Sequence, residues 1–128
     1  MKEQLVTFET AKLAKEKGFN VPSYVYQNDG IIPDITNIEK DIIEDARHKY
    51  TYAPTQSLLQ KWLREKHGMH VTPDLSVYNI SGYYVRIDSY NRIKQEVKCH
   101  FHSEDKGLLF DTYEEALEKG LIEALNKI

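Results

Sequence analysis

The spacing of the apolar residues changes at Met69, and this change constrains the fold more than any other feature of the chain. Before Met69, apolar residues recur at intervals of three or four, the period of a helix that buries one side. From Met69 to Phe101 they mostly alternate with polar residues, as in antiparallel strands with one buried face and one wet face. The helical period returns after Thr112. The sequence therefore predicts a single α+β domain over residues 1–128, in which an antiparallel β-meander packs with three to four helices.

Capping residues predict where the first, second and last helices begin. Thr7 is expected to cap a first helix that runs to about Lys17. A second helix is predicted over residues 37–48 from a Thr-x-x-Glu capping box and apolar residues at helical spacing. The final helix follows a similar capping box that begins at Thr112. Glycine is unfavourable in an exposed helix, so we expect Gly120 to allow close packing of this helix on the sheet.

The third helix, predicted over residues 54–67, has both ends marked. Pro54 suits the first helical turn, and Gly68 suits the left-handed position that follows a helix. Its apolar side consists of Leu58, Leu59, Trp62 and Leu63, and its polar side displays Gln56, Gln60, Lys61 and Arg64. Because a lone aromatic residue among leucines usually serves packing, Trp62 is predicted to anchor the core.

The alternating region predicts a meander whose last two strands form a hairpin over residues 83–102. The turn of this hairpin is predicted within residues 88–92. Cys99 follows the alternation of the apolar residues in the last strand and is therefore expected in the core. A short strand is also predicted at residues 24–26, whereas residues 49–53 are interpreted as a connection between helices.

Three blocks of the sequence resemble a group of small phage and prophage proteins from gut Bacteroidetes. The blocks are APTQSLLQKWLRE in the third predicted helix, ETAKLAKEKGF near the start and YEEALEKGLIEAL near the end. The resemblance implies a phage-related accessory protein. It implies no activity, cofactor or site residue.

The residues that could carry chemistry give no catalytic or metal-binding signature. His67 and His70 flank the end of the third helix, and His100 and His102 share one strand face, so the two pairs could meet around zinc. Their spacing matches no standard zinc motif, and solvated histidines are the preferred interpretation. Cys99 is expected to be a buried and inert thiol. We therefore predict no catalytic residue, no metal ion and no small-molecule cofactor.

The sequence favours a cytoplasmic protein with no membrane partner. No segment approaches the ~18 consecutive apolar residues of a membrane span. The N-terminal residues lack the apolar core of a signal peptide. A single cysteine cannot form an internal disulfide, which suits a reducing compartment.

The net charge of −3 conceals a basic segment in an acidic chain. Residues 46–70 carry a net charge of +4, whereas residues 29–45 carry −5 and residues 111–128 carry −3. Mixed surface charge is usual in soluble proteins, so the basic segment is interpreted first as a solvated surface. A surface that faces phosphates is the alternative, and the sequence leaves both interpretations open.

Two functions are consistent with this sequence. The first is a non-enzymatic accessory protein that binds a protein partner or associates with itself, with Tyr84 and Arg86 on the wet strand face as contact residues.

The second function is DNA binding through a winged-helix-like unit. The third helix would be presented to the nucleic acid, and the hairpin over residues 83–102 would be the wing. The residues expected to read bases or hold phosphates are Gln56, Gln60, Lys61 and Arg64. The acidic segment over residues 29–45 would repel a duplex unless it faced away.

Overall fold

A computed structural model describes residues 4–27, 30–32, 50–77 and 82–128. The chain divides into two compact units, Met1–Leu58 and Leu59–Ile128. Described helices and antiparallel strands occur in both, which confirms the predicted α+β class. The prediction of one domain over residues 1–128 stays a prediction, and the helix predicted over residues 37–48 lies outside the described residues.

The first helix, α1, spans Phe8–Glu16 and begins as predicted. The Oγ1 atom of Thr7 accepts a hydrogen bond from the Thr10 N–H at 3.3 Å, which satisfies one of the free N–H groups of the first turn. At the other end Gly18 takes a φ of 96°, a left-handed conformation that ends the helix.

A three-stranded antiparallel sheet completes the described part of the first unit. Its strand order is β2–β1–β3, with β1 at Tyr24–Gln27, β2 at Gly30–Ile32 and β3 at Tyr50–Ala53. The predicted short strand is confirmed as β1, but the interpretation of residues 49–53 as a plain connection was wrong. Val25 pairs with Tyr52 and both are buried. Pairing with β1 therefore stabilises residues 50–53 in an extended conformation.

Helix α2 spans Gln56–His67 and starts two residues later than predicted. Pro54 does not lie in its first turn, because β3 continues to the preceding residue and Thr55 caps the helix instead. The Oγ1 atom of Thr55 accepts a hydrogen bond from the Leu58 N–H at 3.2 Å. The predicted C-terminus is confirmed, since Gly68 has a φ of 65°.

The predicted apolar stripe of α2 is largely buried. Leu59, Trp62 and Leu63 are buried, whereas Leu58 is half-buried. The Trp62 ring also meets the His67 ring edge-on, with 4.8 Å between their centroids. The prediction that Trp62 anchors the core is therefore confirmed.

The second sheet is the predicted antiparallel meander. Its strand order is β4–β5–β6, with β4 at His70–Leu75, β5 at Tyr83–Asn91 and β6 at Glu96–His102. Its buried side chains are Val71, Pro73, Val85, Ile87 and Phe101. The final helix, α3, spans Tyr113–Asn126 and packs on β4 and β5. A short 3₁₀ helix at Ser103–Lys106 follows β6.

The hairpin of β5 and β6 differs from the prediction in its turn and in its register. The turn lies at residues 92–95 rather than within residues 88–92, so β5 extends further than predicted and β6 begins later, at Glu96. Ile87 pairs with Phe101 whereas Asp88 pairs with Cys99, which leaves His100 as a β-bulge. Cys99 is exposed, and its predicted place in the core was wrong because the strand leaves the core at this bulge.

Helix α3 begins as predicted and lies close to the sheet. The Oγ1 atom of Thr112 accepts a hydrogen bond from the Glu115 N–H at 3.1 Å. A Cβ atom added at Gly120 would lie 2.5 Å from Cγ2 of Val85 and 2.6 Å from Cγ1 of Val71. The predicted close packing at Gly120 is thus confirmed. Among the described residues, no helix combines the length and apolar character needed to cross a bilayer.

We predict that Gly120→Ala lowers the free energy of unfolding by about 1–3 kcal/mol, the usual cost of overpacking a core. In an open helix the same change would raise the stability by about 1 kcal/mol. The sign of the change in a urea unfolding experiment therefore tests the close approach.

The matched control repeats the change in a Val85→Ala background, where the nearest clashing methyl group is absent. Gly120→Ala should cost less there than in the parent protein, because the two sites share one contact. Equal costs in the two backgrounds would contradict this packing.

Candidate functional site

Helix α2 keeps only part of the polar side predicted from the sequence. Gln56 is 4% exposed, so it is buried rather than displayed, and its predicted position on the polar side of the helix was wrong. Gln56 is the first residue of the helix, and its N–H donates to the Gln4 carbonyl oxygen at 2.9 Å. Gln60 is half-buried, and its Nε2 atom donates to the Val71 carbonyl oxygen at 2.6 Å. The Gln60 amide therefore links α2 to β4.

Lys61 and Arg64 are exposed, as predicted. The Nζ atom of Lys61 lies 4.0 Å from Oε1 of Glu65, and both side chains are more than half exposed. Such a solvated ion pair adds little stability. Lys61 and Arg64 are therefore both accessible to charged groups outside the protein. This side of the helix can attract an anionic partner, whereas Gln56 is buried and the Gln60 amide is hydrogen-bonded to β4.

Tyr84 lies on the outer face of β5, where it stacks on His102 of β6. Their ring centroids are 4.8 Å apart and the rings are nearly parallel, at 8°. His102 Nδ1 also lies 3.8 Å from Oδ1 of Asp105. The stack holds the Tyr84 ring in one orientation and keeps it half-buried.

Arg86 is the neighbouring outward residue of β5, and it is held by Asp88. The Nε atom of Arg86 donates to Oδ2 of Asp88 at 2.7 Å. This hydrogen bond, together with the charge of Asp88, raises the pKa of Arg86 above its ordinary value. Arg86 is therefore a fixed and permanently charged cation.

Tyr84, Arg86 and Asp88 lie on one face of the sheet because they alternate with the buried Val85 and Ile87. The pairing of β5 with β6 adds two residues to that face. We call this set the outer strip, and it consists of Tyr84, Arg86, Asp88, Cys99 and His102.

Alternation along β5 predicts that Tyr84, Arg86 and Asp88 share one face, and the structure confirms it. The positions of Cys99 and His102 opposite them depend on the bulge at His100. No turn or glycine signal marks this bulge in the sequence. The contribution of β6 to the strip could therefore not be predicted.

The end of the hairpin projects beyond the buried part of the sheet. Ten consecutive residues, 90–99, are exposed, and we call them the hairpin arm. Three of them are large and apolar: Tyr90, Ile93 and Val97, with 52%, 96% and 68% of their surface exposed. Asn91 orders the turn, since its Oδ1 accepts hydrogen bonds from the N–H groups of Ile93 and Lys94 at 3.0 and 3.1 Å.

Three of the described histidines, His67, His100 and His102, have separate local partners. His100 Nε2 lies 2.7 Å from the Ser89 hydroxyl, His67 packs against Trp62, and His102 stacks on Tyr84. Within the part of the chain that the structure describes, no group of three or more His, Cys, Asp or Glu residues could hold a metal ion.

A scan against protein-family models and searches of curated proteins and solved structures find no match to this chain. The resemblance to phage proteins therefore stays a prediction from the sequence blocks.

We predict that Gln60→Ala lowers the free energy of unfolding by about 1 kcal/mol, because it removes the hydrogen bond to the Val71 carbonyl. The neighbouring change Lys61→Ala should alter stability by less than about 0.5 kcal/mol, as expected for an exposed residue. Chemical unfolding of both variants checks this. A larger loss of stability for Lys61→Ala than for Gln60→Ala would contradict the structural role given to the Gln60 hydrogen bond.

Proposed function

We propose that this protein is a non-enzymatic accessory protein of the phage or prophage type that acts in the cytoplasm through protein–protein interaction, with a different protein or with a second copy of itself. The hairpin arm carries the proposal, because its exposed residues include three large apolar side chains. The proposal assigns no catalytic residue, metal ion or small-molecule cofactor.

The energetic argument begins with the apolar residues of the arm. Single exposed apolar residues are common, but a concentration of them in one projecting hairpin indicates an interface. Covering a side chain such as Ile93 would contribute about 1.5–3 kcal/mol. These residues gain most when a partner surface removes them from water.

The outer strip supports the proposal through its composition and its order. Tyrosine and arginine are enriched at the energetically important centres of protein interfaces. Tyr84 is held by its stack on His102, and Arg86 is held by its hydrogen bond to Asp88. Because these side chains are already ordered, a partner that binds them loses less conformational entropy.

Photo-crosslinking tests this proposal directly. With p-benzoylphenylalanine at Tyr90, we expect irradiation of the native cells to give a discrete protein adduct that mass spectrometry can identify. The same probe at Tyr113, which is 42% exposed but lies on α3, should not give that adduct.

A second variant links the adduct to the outer strip. Adding Tyr84→Ala and Arg86→Ala should reduce the Tyr90 adduct at least several-fold in a variant that remains folded and still unfolds cooperatively. Adducts of equal yield from Tyr90 and Tyr113, or no adduct at Tyr90, would count against protein binding through this surface.

DNA binding is the second candidate, and the exposure of Lys61 and Arg64 is the observation that favours it. The hairpin arm would then be a wing, with Arg92, Lys94 and Lys98 as its cations. The burial of Gln56 and the internal hydrogen bond of Gln60 argue against sequence readout by α2.

Duplex binding at several salt concentrations decides between the candidates. If DNA is the ligand, Lys61→Gln/Arg64→Gln should weaken binding and reduce the salt slope by about two, because two phosphate contacts are lost. Under our proposal, fluorescence anisotropy should detect weak or no duplex binding near physiological salt. Submicromolar, salt-sensitive binding that disappears in the double variant would favour DNA binding instead.

A further inference from the structure

Strand β6 lies at the edge of the second sheet. In the part of the chain that the structure describes, β6 pairs with β5 on one side and with no strand on the other. Its first four residues, 96–99, are all exposed. An exposed edge presents backbone N–H and C=O groups to which another strand can pair.

We propose that the occupant of this edge is β6 of a second copy of this chain, paired antiparallel about a two-fold axis that passes through Val97. This inference rests on the proposed function, since it names one protein that the arm binds. The argument comes from the order of charges along β6 and from the apolar residues beside Val97.

The charges on β6 are self-complementary about Val97. Glu96 and Lys98 flank it, so antiparallel pairing centred on Val97 places each Glu96 directly opposite the partner's Lys98. No ion pair among the described residues uses Glu96 or Lys98, so both charges remain available to a second copy. Opposite charges at facing positions stabilise a strand pair, whereas like charges at these positions destabilise it.

The apolar residues match in the same register. Tyr90 of β5 pairs with Val97 of β6, so their side chains share one face. The two-fold axis brings Val97 against the partner's Val97 and produces a row of four apolar side chains across the joined strands. The row covers side chains that are 52% and 68% exposed in the single chain.

The bulge at His100 supports Val97 as the centre. It interrupts the regular spacing of β6, so the straight part of the strand available for pairing is residues 96–99. A register centred on Cys99 would extend across the bulge. It would place Lys98 opposite His100 of the second copy, and no ion pair could form there because neither side chain carries a negative charge. It would also place the two Cys99 thiols together, which makes the registers chemically distinguishable.

The dimer should depend on concentration, because one strand pair and its side chains form a small interface. We expect analytical ultracentrifugation under reducing conditions to show the average mass rising from 15.0 kDa toward twice that value as the concentration is raised. A single chain mass at every concentration up to the millimolar range would overturn the proposal.

Charge reversal provides the matched variants. Glu96→Lys and Lys98→Glu each place like charges opposite one another at both facing positions, so each single variant should dimerise at least tenfold more weakly. The double variant, Glu96→Lys/Lys98→Glu, restores opposite charges and should recover the dimer. Both residues are exposed, so unfolding midpoints should remain close to that of the parent. Failure of the double variant to recover would overturn the proposed pairing.

Disulfide trapping tests the register. Val97→Cys in a Cys99→Ser background should form a covalent dimer under mild oxidation, since only residues at the axis meet their own copy. The parent protein, with Cys99, should crosslink much more slowly. Faster crosslinking through Cys99 would overturn the Val97 register.

These results are separable from those that test protein binding in general. A monomer that still gives a Tyr90 adduct with a different protein would overturn self-pairing and leave the proposed function standing. A dimer with the predicted charge dependence and no foreign adduct would support self-pairing and overturn binding of a different protein.

Discussion

The close approach of α3 to the sheet at Gly120 is the constraint on which the second unit depends. With no Cβ atom at this position, the helix can lie directly over Val71 and Val85. The helix packs on β4 and β5, and the buried part of β6 is confined to the end near Phe101. Because one helix can cover only a limited width of sheet, the remaining length of the β5–β6 hairpin is left outside the core. The exposed hairpin arm follows from this geometry.

The bulge at His100 separates a buried part of the hairpin from an exposed part. On the side of the bulge toward the core, Ile87 and Phe101 pair and are buried. On the other side the strand continues with its side chains exposed, and Cys99 joins Asp88 on the outer face. A bulge adds one residue to one strand, so residues 96–99, which precede it, occupy the opposite faces from those that simple alternation from Phe101 would give them. The outer strip and the arm therefore depend on the same irregularity.

Local signals in the sequence were sufficient for much of the fold. Thr7, Thr112 and the glycines that follow α1 and α2 mark helix ends, because capping depends on a few neighbouring residues. The exposure of Arg86 could also be predicted, since alternation along one strand sets its face. What could not be predicted depends on distant partners. Strand β3 forms because Tyr52 pairs with Val25 of β1. The Gln60 side chain is hydrogen-bonded within the protein because the Val71 carbonyl oxygen lies within reach of its amide.

Self-pairing of β6 would bear directly on the outer strip. Two strands paired about a two-fold axis perpendicular to the sheet keep the same face outward, so the two strips would lie on one continuous surface. Each strip carries Tyr84 and Arg86 in a fixed arrangement. A partner with two matching sites would then bind its second site at a high effective concentration, which strengthens the complex without any new kind of contact. The arm and the strip would thus act together, with the arm joining two copies and the paired strips holding a common partner.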